Sequence, residues 1–119
     1  MRFLILLVVF CMPSQASAAE LDAGQLRGEL VGQVIRWWES DGWHSGNLKL
    51  MPDGRAEIVV ERPDAANDDG QWSIRGNEIC TAWSSMRNGE TKCYSVEQLA
   101  PGRFITSGGN VFEIMTAGV

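Results

Sequence analysis

His44 is the sole histidine of the 119-residue chain. It sits in Asp41-Gly42-Trp43-His44-Ser45-Gly46, so an acid, an imidazole and a hydroxyl share six residues, and these are the three groups of a hydrolytic triad. A triad, however, gathers nucleophile, base and orienter from separate elements whose side chains converge. Groups this close in one turn diverge instead, and His44 reads as an exposed turn residue. One histidine without a free thiol also falls short of the three or four ligands of a zinc site. Asp64, Asn67, Asp68 and Asp69 offer oxygen ligands, but calcium loops place theirs at alternating positions with a distal bidentate glutamate. That spacing is absent, and the stretch reads as a solvated acidic loop. Glu57, Glu61, Glu78, Glu97 and Glu113 are spaced for a solvent face rather than across a cleft, as glycoside hydrolysis requires. Gly108-Gly109 lies between strands and not ahead of a helix, so it is a turn rather than a phosphate cradle. No catalytic residue, cofactor or metal site is expected.

The chemistry that does stand out is sulfur and indole. Of the three cysteines, Cys11 falls in an export signal, which leaves Cys80 and Cys93 as a pair in a compartment that permits disulfides. A redox-active pair would be C-x-x-C at a helix start, which this is not. A structural bridge closing so short a loop contributes roughly 3 kcal/mol in the chain-entropy view. There are five tryptophans. Trp72 and Trp83 fall on alternating strands and fill the core. Trp37 and Trp38 are adjacent, so on a strand they face opposite ways, and one of them leaves the core or enters a pocket. Trp43 follows in a turn. Such indoles stack on sugars or anchor a protein partner.

The elements that position these groups begin after a leader. Arg2, the apolar run Phe3–Phe10 and the small-x-small stretch Ala16-Ser17-Ala18 form an export signal over residues 1–18. Its apolar run is far short of the roughly 20 residues that span a bilayer. Residues 19–119 then form a single β-rich domain. With Arg2 removed, nine bases face fifteen acids, a balance that excludes a nucleic-acid partner and docking on anionic lipid. No stable membrane insertion is expected, and the location is periplasmic or secreted.

Leu21–Val31 reads as one short N-terminal helix, capped by Asp22 and stopped by Gly32. From Gln33 the period is two. Strands follow over 33–39, 47–51, 55–61, 70–75, 78–83, 91–99, 103–107 and 111–115, separated by turn signals such as Pro52-Asp53-Gly54 and Gly76-Asn77. A polar loop spans 63–69, and Ser84–Glu90 forms a tip. About eight strands in an antiparallel meander predict a mainly β fold, a small lipocalin-like barrel or half-barrel. A flatter sheet with the helix on one face is the competing layout.

With the Gly70-x-Trp72 strand, Cys80-x-x-Trp83 and the second cysteine Cys93 in view, the chain resembles a family of small exported proteins of Gram-negative bacteria. Many come from rhizobia and their relatives, and the family is known as a domain of unknown function. A helix ending in Leu30-Val31-Gly32 and the Pro52-Asp53-Gly54 turn belong to the same resemblance, which covers nearly all of residues 21–94. It implies an exported β-domain and brings no catalytic residues.

The function expected is therefore a non-enzymatic binding module of the cell envelope that recognises a protein or a glycan through Trp37 or Trp38, Trp43 and His44. The alternative is a small inhibitor of an envelope hydrolase or protease, presenting Met86 and Arg87 on the 84–90 loop. A second alternative is a carrier of a small apolar ligand, which needs a cavity. Five tryptophans in about 100 residues are expected to fill the barrel instead.

Overall fold

The structure is a computed structural model that describes Ile5 and residues 19–115. Apart from Ile5, the expected export signal lies outside the described residues, as do residues 116–119. Among the described residues no helix is long and apolar enough to cross a membrane.

Nine strands form one antiparallel sheet: β1 (Val34–Trp38), β2 (Ser45–Leu50), β3 (Arg55–Arg62), β4 (Ala66–Arg75), β5 (Glu78–Trp83), β6 (Lys92–Tyr94), β7 (Val96–Ala100), β8 (Arg103–Thr106) and β9 (Val111–Ile114). Their order, β6-β5-β4-β3-β2-β1-β9-β8-β7, curls into a nearly closed barrel. The two outer strands of that order are consecutive in sequence and run the same way around the sheet. They are halves of one bent strand that the sequence reads as continuous over 91–99. At Ser95 the strand exchanges β5 for β8: the Ser95 carbonyl accepts from Ser107 N–H (2.9 Å), and Ser95 N–H donates to the Ser107 hydroxyl (3.1 Å). Eight expected strands and nine observed ones are thus the same path, and the flat-sheet layout is excluded.

A second boundary differs. The acidic stretch expected as a loop over 63–69 joins β4 from Ala66, pairing with β3 from Val60↔Ala66 to Arg55↔Gln71. Backbone pairing here overrides the weak strand propensity of Asn and Asp.

The helix α1 (Ala23–Leu30) covers one end of the barrel. Asp22 and Gln25 form a reciprocal capping box, each side chain accepting from the other's backbone N–H at 2.9–3.0 Å, which satisfies two of the orphan donors at a helix start. Ala23 N–H reaches the Asn77 side chain in the β4–β5 turn (3.3 Å), and Gly32 N–H donates to Leu50 of β2 (2.8 Å). Leu26 and Leu30 are fully buried, each contributing roughly 1.5–3 kcal/mol. Just before the helix, Leu21 N–H donates to the Val96 carbonyl (2.8 Å) and Glu20 bridges Glu97, covering β7 where β6 leaves off.

Inward positions follow the expected alternation: Ile35 and Trp37, Leu48 and Leu50, Ala56 and Ile58, Ile79 and Trp83, Phe104 and Phe112. Two of the indoles face strand partners without a side chain, since Trp37 pairs with Gly46 and Trp83 with Gly70. A Cβ at Gly46 would lie 1.8 Å from the Val59 carbonyl oxygen and 3.1 Å from the Trp37 ring. One at Gly70 would lie 2.1 Å from the Ala82 carbonyl oxygen. Neither clash involves a side chain that can move aside. Cys80 and Cys93 are directly opposed on β5 and β6 and form the expected disulfide. Because overpacking against backbone costs about 1–3 kcal/mol, Gly46→Ala should lower the unfolding free energy by about that amount in a denaturant titration. An alanine tolerated at no cost would contradict this close approach.

Candidate functional site

At the end opposite α1 the barrel stays open. Trp37, Leu48, Ile58, Trp83, Tyr94 and Phe112 wall a cavity of about 140 Å³ at that mouth. For comparison, an apolar cavity of roughly 150 Å³ accommodates a benzene molecule. The expectation that five tryptophans fill the barrel is therefore corrected. Trp72 is drawn away to the α1 end, where its indole N–H donates to the Met51 carbonyl (2.7 Å) and Arg27 stacks over its ring. Trp38 and Trp43 lie outside altogether.

The walls are apolar with polar interruptions. Trp37 and Trp83 are more than nine-tenths buried, and neither indole N–H has a hydrogen-bond partner. An indole N–H can only donate, and a buried donor left unpaired costs about 1–3 kcal/mol. Thr81 and Thr106, both buried, add hydroxyls to the same wall. Burial pushes the Tyr94 phenol up to about 12, with the Arg87 guanidinium and the Thr81 hydroxyl beside it acting the other way. The phenol is therefore neutral at any physiological pH. Tyr94 meets Phe112 edge to face, the centroids 6.2 Å apart.

The rim is built by loops. Glu39, Met86, Arg87, Lys92 and Asn110 line it. The tip over 84–90 folds across the mouth and is fastened to β4. The Asp68 carboxylate accepts from Met86 N–H (2.8 Å) and Ser85 N–H (2.9 Å), and the Asp69 carbonyl accepts from Ser84 N–H (2.9 Å). The two amides, Met86's first, hold the Asp68 carboxyl below its ordinary range. Met86 packs on the core, while Arg87 adopts left-handed backbone (φ 52) in a short 3-10 turn over Met86–Gly89. A non-glycine residue held there carries strain, which collects at functional loops.

The residues expected to act together are thus divided between two places. Trp37, Met86 and Arg87 line the cavity. Trp38 and Trp43 stand on the outer wall under guanidinium groups, Arg103 over Trp38 at 5.4 Å and Arg62 over Trp43 at 5.3 Å. His44 occupies the β1–β2 turn as expected, and its Nδ1 meets Asp41 Oδ2 at 2.5 Å and lies 3.6 Å from Glu39 Oε2. Ser45 continues into β2, and among the described residues no hydrogen bond joins it to the imidazole. Glu39, Asp41 and His44 place three ligand atoms within 4.8 Å of one another, enough to touch a cation. Asp41 already accepts from Trp43 N–H (2.8 Å) and His44 N–H (3.1 Å) as well as from the imidazole, and the group works as a turn clasp.

Thr81, Trp83, Lys92 and Tyr94 were not singled out by the sequence reading as site residues. The signal was present in the alternation: on β5 the inward set Ile79, Thr81, Trp83 carries one hydroxyl, and on β6 Lys92 shares the inward side with Tyr94. No family model, curated protein or solved structure matches the chain.

The clasp has a pH window. Backbone donation from Trp43 and His44 and the imidazole contact lower Asp41 from its ordinary 3.8, and the Asp41 carboxylate raises His44 from its ordinary 6.5. The His44 contribution is complete below 6.5 and disappears as pH rises through its higher folded value. The Asp41 contribution is complete above 3.8 and disappears as pH falls through its lower folded value. An NMR titration should give His44 a pKa above 6.5 that Asp41→Asn returns toward it; an unshifted His44 would contradict the clasp.

Proposed function

We propose that the protein is an exported, non-enzymatic binding protein that holds a small, largely apolar ligand in the open end of its barrel. One observation carries this reading: the mouth keeps a benzene-sized cavity walled by Trp37, Trp83, Tyr94 and Phe112. Stability alone favours filling such space, because a void forfeits packing. A ligand with an apolar body that fits the space answers that. Export is part of the proposal, supported by the leader pattern of residues 1–18 and by the Cys80–Cys93 bridge, as is the resemblance to the small exported family.

This reading moves ahead of protein or glycan recognition because Trp37, expected as a possible contact, faces inward. Protein or glycan recognition remains as a second reading for the outer wall. Trp38 lies beside Arg36 and Arg62 around Ser45, and the half-exposed Trp43 sits under Arg62; Trp with Arg is the composition of interface hot spots. For the inhibitor reading, the 84–90 loop tucks Met86 onto the core and leaves Arg87 exposed.

The test is native mass spectrometry of protein purified from the exported fraction, beside the cavity-filling variant Ile58→Phe. The wild-type chain should retain a small molecule and the variant should lose it, with the fold intact by circular dichroism. A ligand-free wild type whose tryptophan emission no small aromatic compound alters would overturn the reading.

A further inference from the structure

Resting on that reading, we infer that the ligand is a small organic monoanion, a ring-sized apolar body carrying one carboxylate. The geometry that points to it is an aromatic-walled cavity whose rim carries two cations without an ion-pair partner among the described residues. Trp37 and Trp83 supply ring surface to the wall while their indole nitrogens are sealed from solvent, so the polar group of a ligand is met at the rim rather than in the wall. Lys92 and Arg87 stand at the rim, and among the described residues neither has a carboxylate within ion-pair distance: the ion pairs join Arg36 to Glu61, Arg55 to Asp53, and His44 to Asp41 and Glu39.

The surroundings make those two cations selective. The chain as a whole carries a net charge of −5, yet the mouth concentrates two positive groups. Of the described residues that line the cavity, Glu39 alone bears a carboxylate, and it lies 3.6 Å from the His44 imidazole. Lys92 sits on β6 beside Thr81 of β5, directly above Tyr94 on the inward side, so its charge is delivered by strand register rather than by a free loop. Arg87 is delivered by the loop that Asp68 fastens, in a backbone conformation that glycine would adopt more easily. Both side chains are solvent-exposed at the rim, so their pull on a bound anion is a modest one that salt screens. A cavity of about 140 Å³ holds a body of roughly the size of benzene.

The experiment uses the full mature chain and three probes of one size: benzoate, benzyl alcohol and benzylamine. Binding is read by tryptophan emission and by calorimetry. Benzoate should bind at least tenfold more tightly than benzyl alcohol, and benzylamine more weakly still. Lys92→Gln and Arg87→Gln, both at exposed positions, should each weaken benzoate about fivefold and leave benzyl alcohol unchanged. Trp37→Phe, which trims the indole to a single ring and widens the cavity, should weaken benzoate and benzyl alcohol alike. Benzoate and benzyl alcohol binding equally well, or benzoate binding indifferent to both charge variants, would overturn the anion while leaving the small-ligand reading intact. If no probe of any charge binds, the small-ligand reading itself fails.

Discussion

A barrel of about eight short strands has too little interior for five indoles, and the structure depends on how it resolves that crowding. Two of the rings are laid against strand positions that have no side chain, Trp37 opposite Gly46 and Trp83 opposite Gly70. At both glycines a methyl group would run into a neighbouring carbonyl, so the backbones on that side have closed to the limit that glycine allows. A third ring, Trp72, is drawn to the other end by the Met51 carbonyl. The remaining two are placed outside. Pairing a large aromatic with a glycine across a sheet fixes register as well as volume, and here it also fixes where the interior space remains.

The two ends of the molecule then take different roles. At one end α1 inserts Leu26 and Leu30, and its capping box, the Asn77 contact and the Gly32–Leu50 bond hold it in place. A helix of eight residues containing two glycines has little stability of its own, so its order comes from docking. At the other end the strands stop short of filling the mouth, and loops carrying Glu39, Arg87 and Asn110 surround it. The bent strand at Ser95 links the ends. It lets a single segment close the seam with β5 above and β8 below, and the disulfide pins its upper half to β5.

Much of the fold was legible in the sequence because it depends on local periodicity and turn chemistry. The alternation of Ala56, Ile58 and Val60, the Pro52-Asp53-Gly54 turn and the Asp22 cap follow from local residue types and spacing, and the pairing of Cys80 with Cys93 follows from their being the two cysteines left beyond the expected leader. The kink at Ser95 did not, because its cause is an exchange of distant partners. The entry of Asn67, Asp68 and Asp69 into β4 did not either, since composition argued for a loop and pairing with β3 decided otherwise. The site was least legible. Trp37 and Trp38 announced that one ring must face inward, but which one follows from the register with Gly46. The cavity is a property of how the rings pack, which no spacing rule encodes. Its polar walls left a trace, Thr81 and Lys92 on the inward side of strands otherwise apolar there, and a polar residue in an inward register is the kind of exception that marks a site.

The account turns on whether a small ligand enters the mouth that the Trp37 and Trp83 rings wall. The most direct measurement is a ¹H–¹⁵N spectrum of the five indole N–H groups during a benzoate titration, with signals assigned by single Trp→Phe variants. The account expects the Trp37 and Trp83 signals to move together and saturate while those of Trp38, Trp43 and Trp72 stay in place. Movement confined to Trp38 and Trp43, or five signals that never move, would contradict it.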